Sequence, residues 1–418
     1  MTSAAGIPGH GAADGPHGRE TGHRAVNPVR GRATHRESLR VDALVIGAGI
    51  VGAACAWRLA QAGLSTVVVE REPAAASGST GRSAAGVRHQ FSEPVNVRLS
   101  MAGIAEYRSM PEAEYRPIGY LFYVPQSDWD AQLRDVAMQR ALGAPVEAID
   151  LTRARSLVPA DPHGLAGATW CAEDGIVDPH GICLGYVARA RAAGARFAFG
   201  QAIEAIGHEG GDWVASAPGL RVAAPRLVNA AGAWSGSIAA MAGLEVPVEP
   251  ARRMVFTTAP LPSSLVRERP YPLTIDLGTG LWFRSERDRL IIGLANEADR
   301  GFSEGIDWPW LENTIEAALP RFPWFEQLAI DRRACWWGYY ENTPDHNPVI
   351  GRMPDAPGWI NACGFSGHGV QHAAAVGRIV AQEVLGEPTF IDIDALRIER
   401  FARRGEGGTR GPGERLVV

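Results

Sequence analysis

The chain begins with about 40 residues that hold almost no large apolar side chain and then turns abruptly hydrophobic. Residues 43–46 form a short apolar run, a glycine turn follows, an alanine-rich stretch continues to about Ala62, and a second apolar run occupies 66–69 after Gly63. Short apolar runs bounded by glycine read as buried strands, and the longer alanine-rich stretch reads as a helix. Strand, turn, helix and strand within about 30 residues make a βαβ unit. Helical patterns recur over 130–142, 181–193 and 311–319, the last stopped by Pro320. A final helix is predicted over 370–385, closed by Gly386 and Pro388. Between 246 and 292, β-branched and apolar runs are broken by proline and glycine, which predicts an antiparallel sheet in a second domain. The expected fold class is therefore α/β plus α+β.

Composition narrows the chemistry. A chain of 418 residues is long enough for two domains, and 46% hydrophobic with 21% charged residues is globular composition. All 41 basic residues are arginine, so Schiff-base chemistry and the phosphate-loop lysine are excluded. A net charge of −5 without a basic block in the folded part argues against nucleic acid. No apolar run reaches the roughly 18 residues of a transmembrane segment. Cys55, Cys171, Cys183, Cys335 and Cys363 are odd in number and contain no CxxC pair, which predicts reduced thiols and no metal site. With no apolar stretch of secretory type at the start, a cytoplasmic location is expected. Residues 1–40, with His10, His17, His23 and His35, and residues 402–418, rich in glycine and arginine, are expected to be disordered tails.

The strongest local motif is Gly47-Ala48-Gly49-Ile50-Val51-Gly52, placed between the first strand and its helix. Gly47 permits the tight turn, Gly49 lets a pyrophosphate approach the backbone, and Gly52 lets the helix pack on the sheet. Glu70, at the end of the second strand, is placed to hydrogen-bond an adenosine ribose, with Arg71 beside it. The motif predicts a bound dinucleotide, and Glu70 disfavours one with a 2′-phosphate. A second glycine cluster, Gly364, Gly367 and Gly369, precedes the helix that starts near Val370, where free N–H groups and the positive end of the helix dipole would stabilise an anion.

Five further segments carry a family resemblance. They are Ser77-Gly78-Ser79-Thr80-Gly81-Arg82-Ser83-Ala84-Ala85-Gly86-Val87-Arg88-His89-Gln90-Phe91, Asp174-Gly175-Ile176-Val177-Asp178-Pro179, Val228-Asn229-Ala230-Ala231-Gly232-Ala233-Trp234, Tyr339-Tyr340-Glu341-Asn342-Thr343-Pro344-Asp345-His346-Asn347-Pro348 and Gly364-Phe365-Ser366-Gly367-His368-Gly369-Val370-Gln371. With the βαβ start, the chain resembles the FAD-dependent D-amino-acid oxidase superfamily, in the branch of sarcosine oxidase, dimethylglycine dehydrogenase and the proline dehydrogenase β subunit. The resemblance implies a glutathione-reductase-type FAD-binding Rossmann domain, assembled from 41–98, 147–235 and 341–401, with an antiparallel or mixed-sheet substrate domain from 99–146 and 236–340. It implies that Gly47, Gly49, Gly52, Glu70, Arg71 and Ile203 hold the ADP half of FAD. Thr80, Arg82, Ser83, Ala231 and Gly232 would lie along the pyrophosphate, ribityl chain and flavin, and Gly364, Gly367, His368, Gly369, Val370 and Gln371 would meet the flavin from the other end.

For the reaction, the resemblance implies that Arg88 meets a substrate carboxylate, the alternative being a salt bridge to a neighbouring acid. Tyr340 falls at a pocket tyrosine or is an aromatic packed on the sheet. His368 would position the amine or the flavin edge, or be satisfied within the backbone, and Arg284 would be a second anion contact. Relatives that bind flavin covalently use a histidine or a cysteine at places where this chain has Ser83 and Gly338, with Cys335 three residues upstream, so FAD is expected to be non-covalent. Gln371 and Ile291 stand where sarcosine oxidase has a substrate-binding and an oxygen-activating lysine, which puts sarcosine itself in doubt and favours a dehydrogenase over an oxidase. The expected activity is oxidation of the C–N bond of a small amine or amino acid, secondary or N-methylated, by hydride transfer to flavin N5, giving an imine that hydrolyses. The acceptor is left open among O2, a quinone and an electron-transfer protein. The alternative is a flavin-carrying subunit of a larger dehydrogenase complex with a partner subunit. An NAD-linked enzyme would need a nicotinamide half-site, for which the sequence offers no candidate.

Overall fold

The first two apolar runs do form strands. In the computed structural model, which describes residues 37–404 and 413–417, Ala43–Ile46 and Thr66–Val69 are buried throughout and pair in parallel. Their side chains alternate between two cores, because successive residues of a strand point to opposite faces. Ala43 and Val45 join one apolar cluster, Leu44 and Ile46 the other. These strands sit inside a six-stranded sheet in the order Val349–Arg352, Trp359–Cys363, Arg226–Asn229, Ala43–Ile46, Thr66–Val69, Arg196–Ala198. It is parallel except at the Val349–Arg352 edge.

A parallel sheet must be covered on both faces. One cover consists of the helices Ile50–Gln61, Pro179–Ala192 and Gly369–Leu385. The first and last approach so closely that a Cβ on Gly377 would lie 2.8 Å from the Ala54 backbone. The other cover includes a four-stranded sheet ordered Glu37–Arg40, Leu220–Ala224, Asp212–Ala217, Ala205–Glu209. Glu37–Arg40 pairs with residues 220–223 of that sheet, so the expected amino-terminal tail is a strand over its last four residues. Residues 1–36, with the four histidines, lie outside the described residues.

The second sheet has eight strands, ordered Trp336–Asn342, Glu249–Thr257, Arg289–Gly293, Leu281–Glu286, Leu273–Asp276, Tyr120–Pro125, Leu165–Cys171, Glu147–Ile149. It is mixed, since Leu273–Asp276 runs parallel to Tyr120–Pro125. Glu147–Ile149 and Leu165–Cys171 hydrogen-bond into this sheet, so the expected boundary at 147 is not where the two sheets divide. Alternation again separates two faces. Tyr123, Phe283 and Ile292 pack outward on Phe322 and Phe325, while Tyr120, Leu273, Ile275 and Trp282 face the other way. That second face looks onto the site.

Candidate active site

A cavity of about 760 Å³ lies between the two sheets and is lined from both ends of the chain. At one end stands the first glycine turn. Gly47 has φ +103°, and a Cβ there would lie 2.4 Å from the Ala230 carbonyl oxygen, so only glycine fits. Gly49 lines the cavity, whereas Gly52 does not: its missing side chain lets the helix sit against Gly47, whose carbonyl oxygen would be 2.0 Å from an added Cβ. The Glu70 carboxylate accepts hydrogen bonds from Ala48 N at 2.7 Å and Glu72 N at 2.9 Å, which locks the turn to the next strand. Thr80 Oγ1 accepts from Ile50 N at 3.0 Å, and Arg71 stacks on Trp234 at 3.7 Å from the ring centre. Glu70, Arg71, Thr80, Arg82, Ser83, Ile203, Ala231 and Gly232 all line the same cavity.

At the other end, Gly367, His368, Gly369, Val370 and Gln371 line the cavity where the helix Gly369–Leu385 begins. The first amides of a helix have no acceptor within it, so this end presents donors and the positive end of the dipole. A Cβ on Gly367 would meet the Tyr340 ring at 2.5 Å. Gly364 is not among the lining residues. It has φ +75° and its N–H donates to Glu341 Oε2 at 2.9 Å, so it shapes the loop and does not touch the cavity.

Arg88 lies in the wall of the cavity. It is 3% exposed, lies over the rings of Phe91 and Phe122 at 4.6 and 5.4 Å, and forms no ion pair among the described residues. Its backbone is held on both sides, by Gln371 Oε1 accepting from its N–H at 2.9 Å and by Ser100 Oγ donating to its carbonyl. Its Nη2 donates to the Leu416 carbonyl and lies 2.9 Å from His368 Nε2, while Nη1 is buried with no hydrogen-bond partner. Burial lowers its pKa, yet a guanidinium stays protonated and can only donate. His368 Nε2 must therefore be the acceptor, with the ring proton on Nδ1. Burial first, then the charge of Arg88, hold the His368 pKa well below its ordinary value. His368 is a neutral positioning residue whose Nε2 lone pair is already committed to Arg88.

Arg284 corrects an expectation. It lies outside the cavity lining, and its donors are taken by the Ala84 carbonyl at 2.9 and 3.1 Å, the Ser285 carbonyl at 2.8 Å and Glu286 at 2.6 Å. It braces the strand and is not placed to meet a substrate anion. Tyr340 lines the cavity beside Arg253, whose guanidinium is 5.4 Å from the Tyr340 ring centre. His89, Cys171 and Asp174 cluster behind Arg88. His89 Nδ1 lies 2.5 Å from Asp174 Oδ1, a direct hydrogen bond between the two side chains.

Three lining residues escaped the reading of the sequence. Arg253 carried no signal beyond its strand. Glu341 stands inside a recognisable segment that gives it no role; burial pushes its carboxyl up to about 7, against the pull of the Gly364 and Phe365 amides. Trp234 closes the Val228–Trp234 segment, and its stacking on Phe302 joins two parts of the chain that no local pattern connects.

A glycine turn that excludes any Cβ, an acid at the next strand end, and a helix start across one continuous cavity fit FAD, whose ADP half the first segment would hold. A dinucleotide-binding parallel sheet joined to a mixed sheet that walls a substrate pocket defines an FAD-dependent oxidoreductase. The comparisons agree: the model of the FAD dependent oxidoreductase (DAO) family matches residues 42–383, and the chain belongs to that family. It is 31% identical to FAD-dependent oxidoreductase domain-containing protein 1 of Bos taurus, across 90% of this chain and 88% of that protein. It is 28% identical to glycine oxidase of Bacillus licheniformis, across 86% and 98%. The L-proline dehydrogenase from P. horikoshii superposes with a TM-score of 0.80 at 27% identity, covering 88% of this chain and 99% of that one. The chain is thus an FAD-dependent enzyme of the amino-acid and amine oxidising type.

Proposed function

We propose that the protein oxidises the C–N bond of a small secondary or N-methylated amino acid, as a dehydrogenase that binds FAD non-covalently. The observation that carries this is Arg88, a buried cation with a free Nη1, no ion pair among the described residues and a place in the wall of the FAD cavity. A buried charge without a partner is costly, and a carboxylate gripped through charge-assisted hydrogen bonds relieves that cost. Bound FAD supplies an acceptor for the two electrons that leave the substrate's α-carbon as hydride. The chain's own part is placement: Arg88 fixes the acid, Gln371 and Ser100 fix Arg88, and Tyr120, Leu273 and Trp282 form an apolar wall that limits water. His368, neutral and already bonded to Arg88, is no base, so the substrate amine must arrive uncharged. Ile291 is fully buried and apolar where an oxygen-activating cation would stand, which supports a dehydrogenase. Cys335 accepts from Thr257 N and lies off the cavity lining, which supports non-covalent FAD.

The test is anaerobic bleaching of the flavin by primary, secondary and N-methylated amino acids and by matching amines without a carboxylate. Bleaching by the N-substituted acids, followed by slow reoxidation in air and fast reoxidation by a quinone or dye, is expected. Bleaching by plain amines alone, or reoxidation by air within milliseconds, would overturn the assignment.

A further inference from the structure

Residues 413–417, expected to belong to a disordered tail, are instead seated on the substrate end of the site. Glu414 is 3% exposed and accepts from Ser92 N at 2.9 Å, Ser92 Oγ at 2.8 Å, Glu93 N at 3.2 Å and Asn96 Nδ2 at 3.0 Å, at the start of the helix Pro94–Arg108. Its own N–H donates to the Asp345 carbonyl at 3.0 Å, and Arg415 pairs with Asp135. Two residues beyond this anchor, Leu416 is buried in the apolar cluster that holds Tyr120, Leu273 and Trp282, and its carbonyl accepts from Arg88 Nη2.

We propose that residues 413–417 are a self-ligand of the carboxylate subsite: the Leu416 carbonyl holds Arg88 until a carboxylate displaces it, and this exchange selects acids over plain amines. The proposal rests on the reading of Arg88 as the carboxylate-binding residue. A peptide carbonyl satisfies one donor of Arg88 but not its charge, and Nη1 stays without a partner. A carboxylate accepts from two nitrogens at once and brings the opposite charge, whereas the peptide carbonyl accepts from Nη2 alone and brings none. The exchange is therefore favourable for an acid. A neutral amine offers Arg88 nothing in return for the Leu416 carbonyl and leaves the segment docked. Displacement of the Leu416 carbonyl also frees the Leu416 N–H, which donates to Glu414 Oε1 at 3.1 Å, while Glu414 stays on Ser92, Glu93 and Asn96.

The experiment titrates the FAD-loaded protein with propionate and with propylamine, following the flavin absorbance, in the full chain, in a chain lacking residues 413–418 and in Arg88→Gln. Deletion is expected to tighten propionate about tenfold or more, the worth of one hydrogen bond to a charged group, while propylamine stays weak in the full chain. Flavin content and melting temperature establish that the shortened chain is folded. Hydrogen exchange on the full chain is independent of any variant: propionate should speed exchange at the amides of Leu416 and Val417, while the Glu414 amide, bonded to the Asp345 carbonyl, stays protected. Unchanged exchange under saturating propionate, or equal propionate affinity with and without the segment, would overturn the self-ligand. If Arg88→Gln loses propionate while the deletion has no effect, only the self-ligand falls. If Arg88→Gln binds propionate as the parent does, the carboxylate role of Arg88 falls and the self-ligand with it.

Discussion

For Arg88, the proposed role rests on its surroundings in the fold. Its sequence context offered two readings, a substrate clamp or half of a salt bridge, and only the fold shows that no carboxylate is paired with it among the described residues. Replacing it by glutamine should raise KM for a carboxylate substrate about 10- to 100-fold, the loss of one or two hydrogen bonds to a charged group, with little effect on turnover at saturation. Steady-state kinetics against an artificial acceptor would check this, and an unchanged KM would contradict it. Glu341 gives a prediction in pH. Its carboxyl is pushed from 4.5 up to about 7 by burial, so between those values the folded protein keeps a proton that the unfolded chain has lost. Stability must then fall as pH rises from about 4.5 to 7, and the loss is complete above the folded-state value. Glu93, raised to about 7, and Asp135, raised to about 6, both chiefly by burial, slope the same way. Glu341→Gln should therefore flatten part of the decline in melting temperature between pH 5 and 8, keeping the Gly364 hydrogen bond through its amide oxygen. A melting profile parallel to the parent's would show that this carboxyl does not titrate in that range.

At the scale of elements, the parts read most easily were those with a clean period. The strands Ala43–Ile46 and Thr66–Val69 fell where the apolar runs stood, and the helices Trp129–Ala141, Pro179–Ala192, Pro309–Ala318 and Gly369–Leu385 each lie within two residues of their pattern. The helix Pro94–Arg108 was missed, for a physical reason. Its buried face carries Asn96, Ser100 and Gly103 among the apolar residues, because it serves the site: Asn96 holds Glu414 and Ser100 holds the Arg88 carbonyl. Polar residues on an inward face erase the hydrophobic period that would announce a helix. Gly103 makes this testable, since a Cβ there would lie 2.0 Å from the Gln371 carbonyl oxygen, and Gln371 holds the Arg88 amide. Gly103→Ala should cost about 1–3 kcal/mol by overpacking and also weaken carboxylate binding. Gly377→Ala, which crowds Ala54 from the helix Gly369–Leu385 that also carries Gln371, should cost similar stability without the binding defect. Equal effects of both on propionate affinity would argue that Gly103 acts on stability alone.

For the whole molecule, one cavity gathers parts that are far apart in the chain. The glycine turn at 47–52 and the helix start at 367–371 line it together, their helices packing on each other behind it, and strands of the second sheet supply the remaining wall through Tyr120, Leu273 and Trp282. Each glycine cluster was legible alone, since turns and caps are local; the docking of residues 413–417 was not, since a glycine- and arginine-rich segment carries no period and its burial depends on acceptors and donors more than 300 positions away. A site built from such distant segments exists only in the folded state, so FAD must bind the native protein and not the unfolded chain. That link stabilises by RT ln(1 + [L]/Kd), about 2.7 kcal/mol when FAD is at 100 times its Kd and about 4.1 kcal/mol at 1,000 times. The melting temperature of stripped protein should therefore rise with added FAD and keep rising, slowly, beyond saturation. Because Ser83 and Gly338 put neither a histidine nor a cysteine at either place and Cys335 is turned to Thr257 and Asp331, unfolding in acid should release all the yellow colour into the supernatant. Colour that stays with the precipitated chain would contradict the non-covalent assignment, and a melting temperature indifferent to FAD would contradict the assembly of the site from both ends.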